Sequence, residues 1–132
     1  MQINFNNQVA VVTGGSRGIG AATVKLLAQA KAKVVFGYRN AAQAASEVVR
    51  KCATRAGVVV PVRADVSRMK DAARLIETAI LRFGRLDVLV ANAGIWKADE
   101  LPIDSMSEIE WDEMMAVNLK GSTQSFTMPC RT

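Results

Sequence analysis

The chain contains no histidine, and that absence removes a large part of the catalytic repertoire. Ser-His-Asp and Cys-His chemistry are excluded, as are metal sites built on imidazole. Cysteine is scarce: Cys52 and Cys130 are too far apart for a CxxC redox pair or a zinc knuckle. Two reduced thiols in a cytoplasmic protein, and no metal site, are the expectation. There is a single tyrosine, Tyr38. No apolar run approaches the roughly 20 residues of a membrane span, so no membrane partner is expected. The opening Met1-Gln2-Ile3-Asn4-Phe5-Asn6-Asn7 lacks the basic segment and apolar stretch of a secretory leader.

What is present describes one packed domain. The 132 residues are 50% hydrophobic and 22% charged, with a mean hydropathy of +0.14. The net charge of +5 is unevenly placed. Residues 1–66 carry nine Lys/Arg against two Asp/Glu, a net +7; residues 67–132 carry eight against ten, a net −2. A basic first half suits a polyanionic ligand. No dense basic cluster or aromatic ladder is present, which argues for nucleotide phosphates over nucleic acid. Solvated Lys and Arg on helix faces account for many of the same charges.

Apolar runs alternate with helical patterns. Gln8-Val9-Ala10-Val11-Val12-Thr13 reads as a buried strand, followed by a helix with Ile19, Ala22, Leu26, Leu27 and Ala30 on one face. Val34-Val35-Phe36 is a second strand, and Ala41, Ala45, Val48 and Cys52 mark a second helix. Val58-Val59-Val60-Pro61-Val62 is a third strand, placed at a sheet edge because Pro61 has no N–H to donate. Met69, Ala72, Ala73, Ile76, Ile80 and Phe83 line a third helix, capped by Ser67 and stopped by Gly84. Leu86-Asp87-Val88-Leu89-Val90-Ala91 is a fourth strand. Ser107 and Glu110 have capping-box spacing and start a last helix near 108, lined by Trp111, Met114, Met115 and Leu119. The order βαβαβαβα with near-continuous apolar strands predicts an α/β fold, a doubly wound Rossmann-type parallel sheet of about four strands.

The loop Gly14-Gly15-Ser16-Arg17-Gly18-Ile19-Gly20 joins the first strand to the first helix, where open α/β sheets bind ligands. Glycine permits a positive φ and close approach to a phosphate. The helix N-terminus behind it offers free N–H groups and partial positive charge to a pyrophosphate. No Lys-Ser/Thr follows the last glycine, so this is not a Walker loop.

Thr13-Gly14-x-x-x-Gly18-x-Gly20 resembles the TGxxxGxG fingerprint of the short-chain dehydrogenases/reductases. Asp65-Val66, Gly84-Arg85-Leu86-Asp87-Val88-Leu89-Val90, Ala91-Asn92-Ala93-Gly94 (with Ala91 in place of the first Asn of NNAG) and Asn118 follow in the family's order. The resemblance covers roughly residues 6–121, so 1–121 is expected to form the dinucleotide-binding half. It implies a cofactor-binding set of Thr13, Gly14, Ser16, Arg17, Gly18, Ile19, Gly20, Tyr38, Arg39, Asp65, Val66, Asn92, Ala93 and Gly94. In it, Asp65 serves the adenine amino group and the Val66 backbone a ring nitrogen. Asn118 corresponds to the helix Asn of the catalytic tetrad. Plainer roles stand beside these: Asp65 as a loop or cap residue, Asn92 as a turn holder, Asn118 and Arg39 as surface residues.

NAD-preferring members of such folds carry an acid at the end of the second strand for the ribose 2′-OH. Tyr38 and Arg39 stand there instead. Arg39, with Arg17, suits a 2′-phosphate, so NADP(H) is expected over NAD(H). Lys31 stands where the family has a turn glycine; a left-handed lysine there costs on the order of 1 kcal/mol.

The family reaction, hydride transfer between nicotinamide and a small carbonyl or alcohol substrate, uses a Ser and a Tyr-x-x-x-Lys beyond the fifth strand. None is recognised here, Tyr38 lies at the adenosine end, and Ser122 and Ser125 are too near Asn118 to serve. The expectation is a truncated reductase with an atypical polar tail at 122–132, inactive alone. Without the later strands, the fourth strand, Leu86 to Ala91, would be an apolar edge open to a homo-oligomer or aggregation. The alternative is a non-catalytic nucleotide-binding module working with a partner chain. A response-regulator-like domain, with Asp65 as phosphoacceptor, lacks the acidic pair required after the first strand.

Overall fold

The computed structural model describes residues 3–53, 57–96 and 102–127. Four strands, β1 (Val9–Val12), β2 (Lys33–Tyr38), β3 (Val58–Arg63) and β4 (Val88–Val90), form one parallel sheet in the order β3-β2-β1-β4. The helices are α1 (Gly18–Gln29), α2 (Ala42–Cys52), α3 (Met69–Phe83), α4 (Glu108–Met115), a π-helical turn Ala116–Gly121 and α5 (Ser122–Thr127). Pro61 lies in edge strand β3, where a missing N–H is tolerated.

β1 is buried at every residue and feeds two cores by alternation. Ala10 and Val12 join Val24, Leu27, Val34, Phe36 and Val48 under α1 and α2. Val9 and Val11 join Val35, Val60, Leu75 and Ile76 under α3. This is a doubly wound sheet with both faces covered, as the near-continuous apolar strands imply.

Four local expectations are corrected. The buried face of α1 is Gly20, Ala21, Val24, Leu27 and Ala28, whereas Ile19 and Leu26 are 79% and 63% exposed. Small residues let α1 lie close to the sheet, so bulk was a poor guide to its inner face. In α3 the buried set is Ala72, Leu75, Ile76 and Ala79, with Met69 and Ile80 exposed. Ser67 does not cap α3: Arg68 is the N-cap, and Ser67 Oγ–H donates to Asp65 instead. The last helix does begin at Glu108 with a complete Ser107–Glu110 capping box, but of the four residues expected to line it only Met114 is buried; Trp111 and Leu119 are exposed.

Lys31 has φ 70°, so the turn after α1 keeps a left-handed residue without a glycine. The polar run at 122–127 is helical nonetheless, and its hydroxyls bond back along the helix. Ser122, Thr123 and Ser125 donate to the carbonyls of Asn118, Leu119 and Gly121. Pro129 and Cys130 lie outside the described residues. No helix among those described is long and apolar enough to cross a membrane.

Candidate functional site

β2 and β3 lie on one side of β1 and β4 on the other, so the winding reverses between β1 and β4. The crevice at the carboxyl ends of these strands is the ligand position in an open α/β sheet. The loops leaving β1 and β4 meet there and are fastened through Thr13, which is buried. Thr13 N–H donates to the Val90 carbonyl (3.0 Å). Its Oγ1 accepts from the backbone N–H groups of Asn92 (3.0 Å) and Ala93 (2.9 Å). Asn92 Nδ2 donates back to the carbonyls of Thr13 (3.1 Å) and Gly14 (3.2 Å). Asn92 is therefore a brace between the two loops.

That brace explains two of the glycines. A Cβ on Gly20 would lie 2.1 Å from the Gly14 carbonyl oxygen, and one on Gly14 would lie 2.9 Å from the Ala93 Cα. Gly18 differs: a Cβ there meets nothing within 4 Å, but φ is +51°. Its role is backbone conformation beside open space. Gly18 also opens α1, whose N-cap Arg17 makes no side-chain capping bond and whose first turn carries no acid. The N-terminal N–H groups of α1 thus have no carboxylate competing with an incoming anion.

Gly14, Tyr38, Arg39, Asp65, Val66, Ala93, Gly94 and Ile95 share the walls of a cavity of about 150 Å³. This gathers seven of the fourteen expected cofactor residues from four chain segments. A wider cleft of about 650 Å³ adjoins it, with Arg39, Arg63, Arg68 and Arg74 facing Asp65, Asp71 and Glu113. Ser16, Arg17 and Ile19 line neither, and Arg17 is exposed. Burial pushes the Asp65 carboxyl up. Hydrogen bonds from Ser67 Oγ–H (2.6 Å) and N–H (3.1 Å), and the positive charge of Arg39 and Arg68, outweigh it and hold Asp65 below the usual carboxylate range. Asp65 is thus an ionised acceptor at neutral pH.

Asn118 sits in the π-helical turn, a distortion frequent at functional sites. Its Oδ1 accepts from Ile95 N–H (2.7 Å) and its Nδ2 donates to the Ile95 carbonyl (2.9 Å). Gly121, one helical turn on, packs on Val66, where a Cβ would come within 2.8 Å of Cγ2. Ser125 is buried and bonded to the Gly121 carbonyl, in keeping with a structural role. Arg63 is not anticipated by the motifs. Arg63 pairs with Tyr38 in the β2–β3 register, so extending the parallel pairing to the strand ends would have found it. Among the described residues no cluster of metal-ligating side chains occurs.

This arrangement matches known proteins. The family model for short chain dehydrogenases matches residues 8–129. An uncharacterised oxidoreductase of Listeria monocytogenes is 34% identical over 119 residues, 90% of this chain and 47% of that protein. A dehydrogenase/reductase from Sinorhizobium meliloti superposes with a TM-score of 0.91 at 37% identity, covering 98% of this chain and 51% of that one. A short chain dehydrogenase from Burkholderia cenocepacia, solved in complex with NADP, gives 0.90 at 31% identity, covering 97% and 51%. The chain belongs to the short-chain dehydrogenase family. It spans about half the length of the curated relatives it matches.

Proposed function

We propose that this chain supplies the NADP(H)-binding half of a short-chain dehydrogenase/reductase, whose reaction is hydride transfer between nicotinamide and a small carbonyl or alcohol substrate. The observation that carries the reading is the end of β2. Tyr38 occupies the position an NAD-binding acid would take, and Arg39 follows it in the wall of the same cavity as Asp65. A planar guanidinium there offers charge-assisted bonds to a 2′-phosphate.

The residues fit a dinucleotide. Gly18 leaves open space at the N-terminus of α1 for a pyrophosphate. The Asp65 carboxylate suits an adenine amino group, and the nearby Val66 backbone suits a ring nitrogen. Bound there, the cofactor supplies the hydride or its acceptor. Thr13 and Asn92 hold the loops that would flank it. Asn118 holds the Ile95 backbone, keeping the segment after β4 in place for the nicotinamide end. The one tyrosine is at the adenosine end, so the reading assigns proton transfer at the substrate oxygen to residues outside these 132. The chain alone is then a binder without turnover.

Retention on immobilised 2′,5′-ADP, release by free NADP⁺, and no hydride transfer from NADPH to a panel of ketones are the expected results. Failure to bind the resin, or turnover by this chain alone, would contradict the proposal. A second reading is a nucleotide-binding module completed by a partner chain, whose strand would take the outer edge of β4. Among the described strands β4 pairs only with β1, leaving its other edge for another strand. Co-purification of a second chain distinguishes it.

A further inference from the structure

We propose that Arg63 is a positioning residue for cofactor discrimination, acting through Arg39; the assignment rests on the NADP(H) reading above. Arg39 is exposed and lies just past the end of β2, where the strand ladder no longer holds it. The last β2–β3 pair is Tyr38 with Arg63, followed by a bond from Ala64 N–H to the Tyr38 carbonyl (2.8 Å). Arg63 reaches back across this end. Its Nε–H donates to the Arg39 carbonyl at 3.3 Å. Arg63 thus adds a tether to the backbone of the residue that carries the proposed phosphate-binding guanidinium.

The tether is itself anchored. Arg74 Nη2 donates to the carbonyl of Arg63 and pairs with Asp71 Oδ1 at 3.2 Å. Asp71 Oδ2 accepts from the Asp65 backbone N–H at 2.9 Å. One network therefore runs from Arg39 through Arg63, Arg74 and Asp71 to Asp65. It ties the backbone that carries the proposed phosphate cation to the backbone that carries the carboxylate assigned to adenine. An adenosine 2′-phosphate bound here would meet side chains carried by the two backbone segments that this network ties together. An NAD⁺ ribose lacks the phosphate and gains nothing from the Arg39 end.

A double-mutant cycle tests the assignment. Dissociation constants for NADP⁺ and NAD⁺ are measured by calorimetry for the parent, Arg63→Gln, Arg39→Ala and the double variant. Arg63→Gln should weaken NADP⁺ about three- to tenfold and change NAD⁺ less than twofold. In the Arg39→Ala background it should add nothing, because Arg63 acts through Arg39. Additive losses would place Arg63 on the phosphate directly and overturn the positioning role, as would equal losses for both cofactors. A preference lost in Arg39→Ala but untouched by Arg63→Gln would overturn the Arg63 assignment alone. Equal affinity of the parent for both cofactors would overturn it together with the NADP(H) reading. Should Arg63→Gln not fold, Arg63→Lys keeps the charge without the planar fork. A lowered NADP⁺ preference in that variant supports the role, and an unchanged one overturns it.

Discussion

The side-chain amide of Asn118 grips the backbone of Ile95 at both ends, accepting its N–H at 2.7 Å and donating to its carbonyl at 2.9 Å. The amide thus pairs with Ile95 as a neighbouring strand residue would. It fastens the segment after β4 to the π-helical turn. Asn118→Ala should cost about 1–2 kcal/mol, with amide exchange accelerated first at Ile95. Unchanged exchange at Ile95 would show that the grip is not maintained in solution.

The glycines of the first loop should not be equivalent. Gly20→Ala drives a Cβ into the Gly14 carbonyl, a backbone atom that cannot step aside. A loss of at least about 2 kcal/mol is expected. Gly18→Ala meets nothing and pays only for its positive φ, about 1 kcal/mol. Thermal denaturation of the two variants checks the order, and equal losses would contradict it.

Lys31 holds a left-handed turn at φ 70° without glycine's freedom. Lys31→Gly should therefore stabilise the protein by about 1 kcal/mol. A lower melting temperature would mean that the lysine side chain contributes more than its backbone strain costs.

Acid should weaken the fold through carboxylates with depressed pKa values. Arg50 and Lys51 hold Glu47 down to about 2, and Arg85 with the Val9 N–H lowers Asp87. Asp65 is lowered as well. Each folded-state pKa lies below its unfolded value, so the stabilisation is complete above about pH 4 and is lost as the pH falls through the folded values. The melting temperature should hold steady from neutral pH to about 5 and decline below 4. Asp65→Asn should decline less steeply, and an identical slope would remove Asp65 from the account.

Much of this was legible in the sequence, for reasons that also mark its limits. Near-continuous apolar strands alternating with helices imply a parallel sheet, Pro61 places β3 at an edge, and Ser107 with Glu110 marks the start of α4. Periodicity of bulky residues misplaces the faces of α1 and α3 because some inner residues are small, Ala21, Ala28 and Ala79, while bulkier Leu26 and Ile80 point outward. Ser67 is not the cap because α3 starts one residue later, with Arg68 as its N-cap, and the Ser67 hydroxyl donates back to Asp65 rather than accepting from the helix. In the site, the fingerprint glycines were visible as spacing. The bonds joining Thr13 to Asn92 and Asn118 to Ile95 were not, since they depend on which strands are neighbours.

The central claim is that the end of β2 reads the adenosine 2′-phosphate through Arg39. Calorimetric titration of the chain with NADP⁺ and with NAD⁺, repeated on Arg39→Ala, tests it most directly. The account predicts NADP⁺ binding at least about tenfold tighter than NAD⁺, with the difference abolished in the variant. Equal affinity for the two cofactors, or a preference that survives Arg39→Ala, would contradict it.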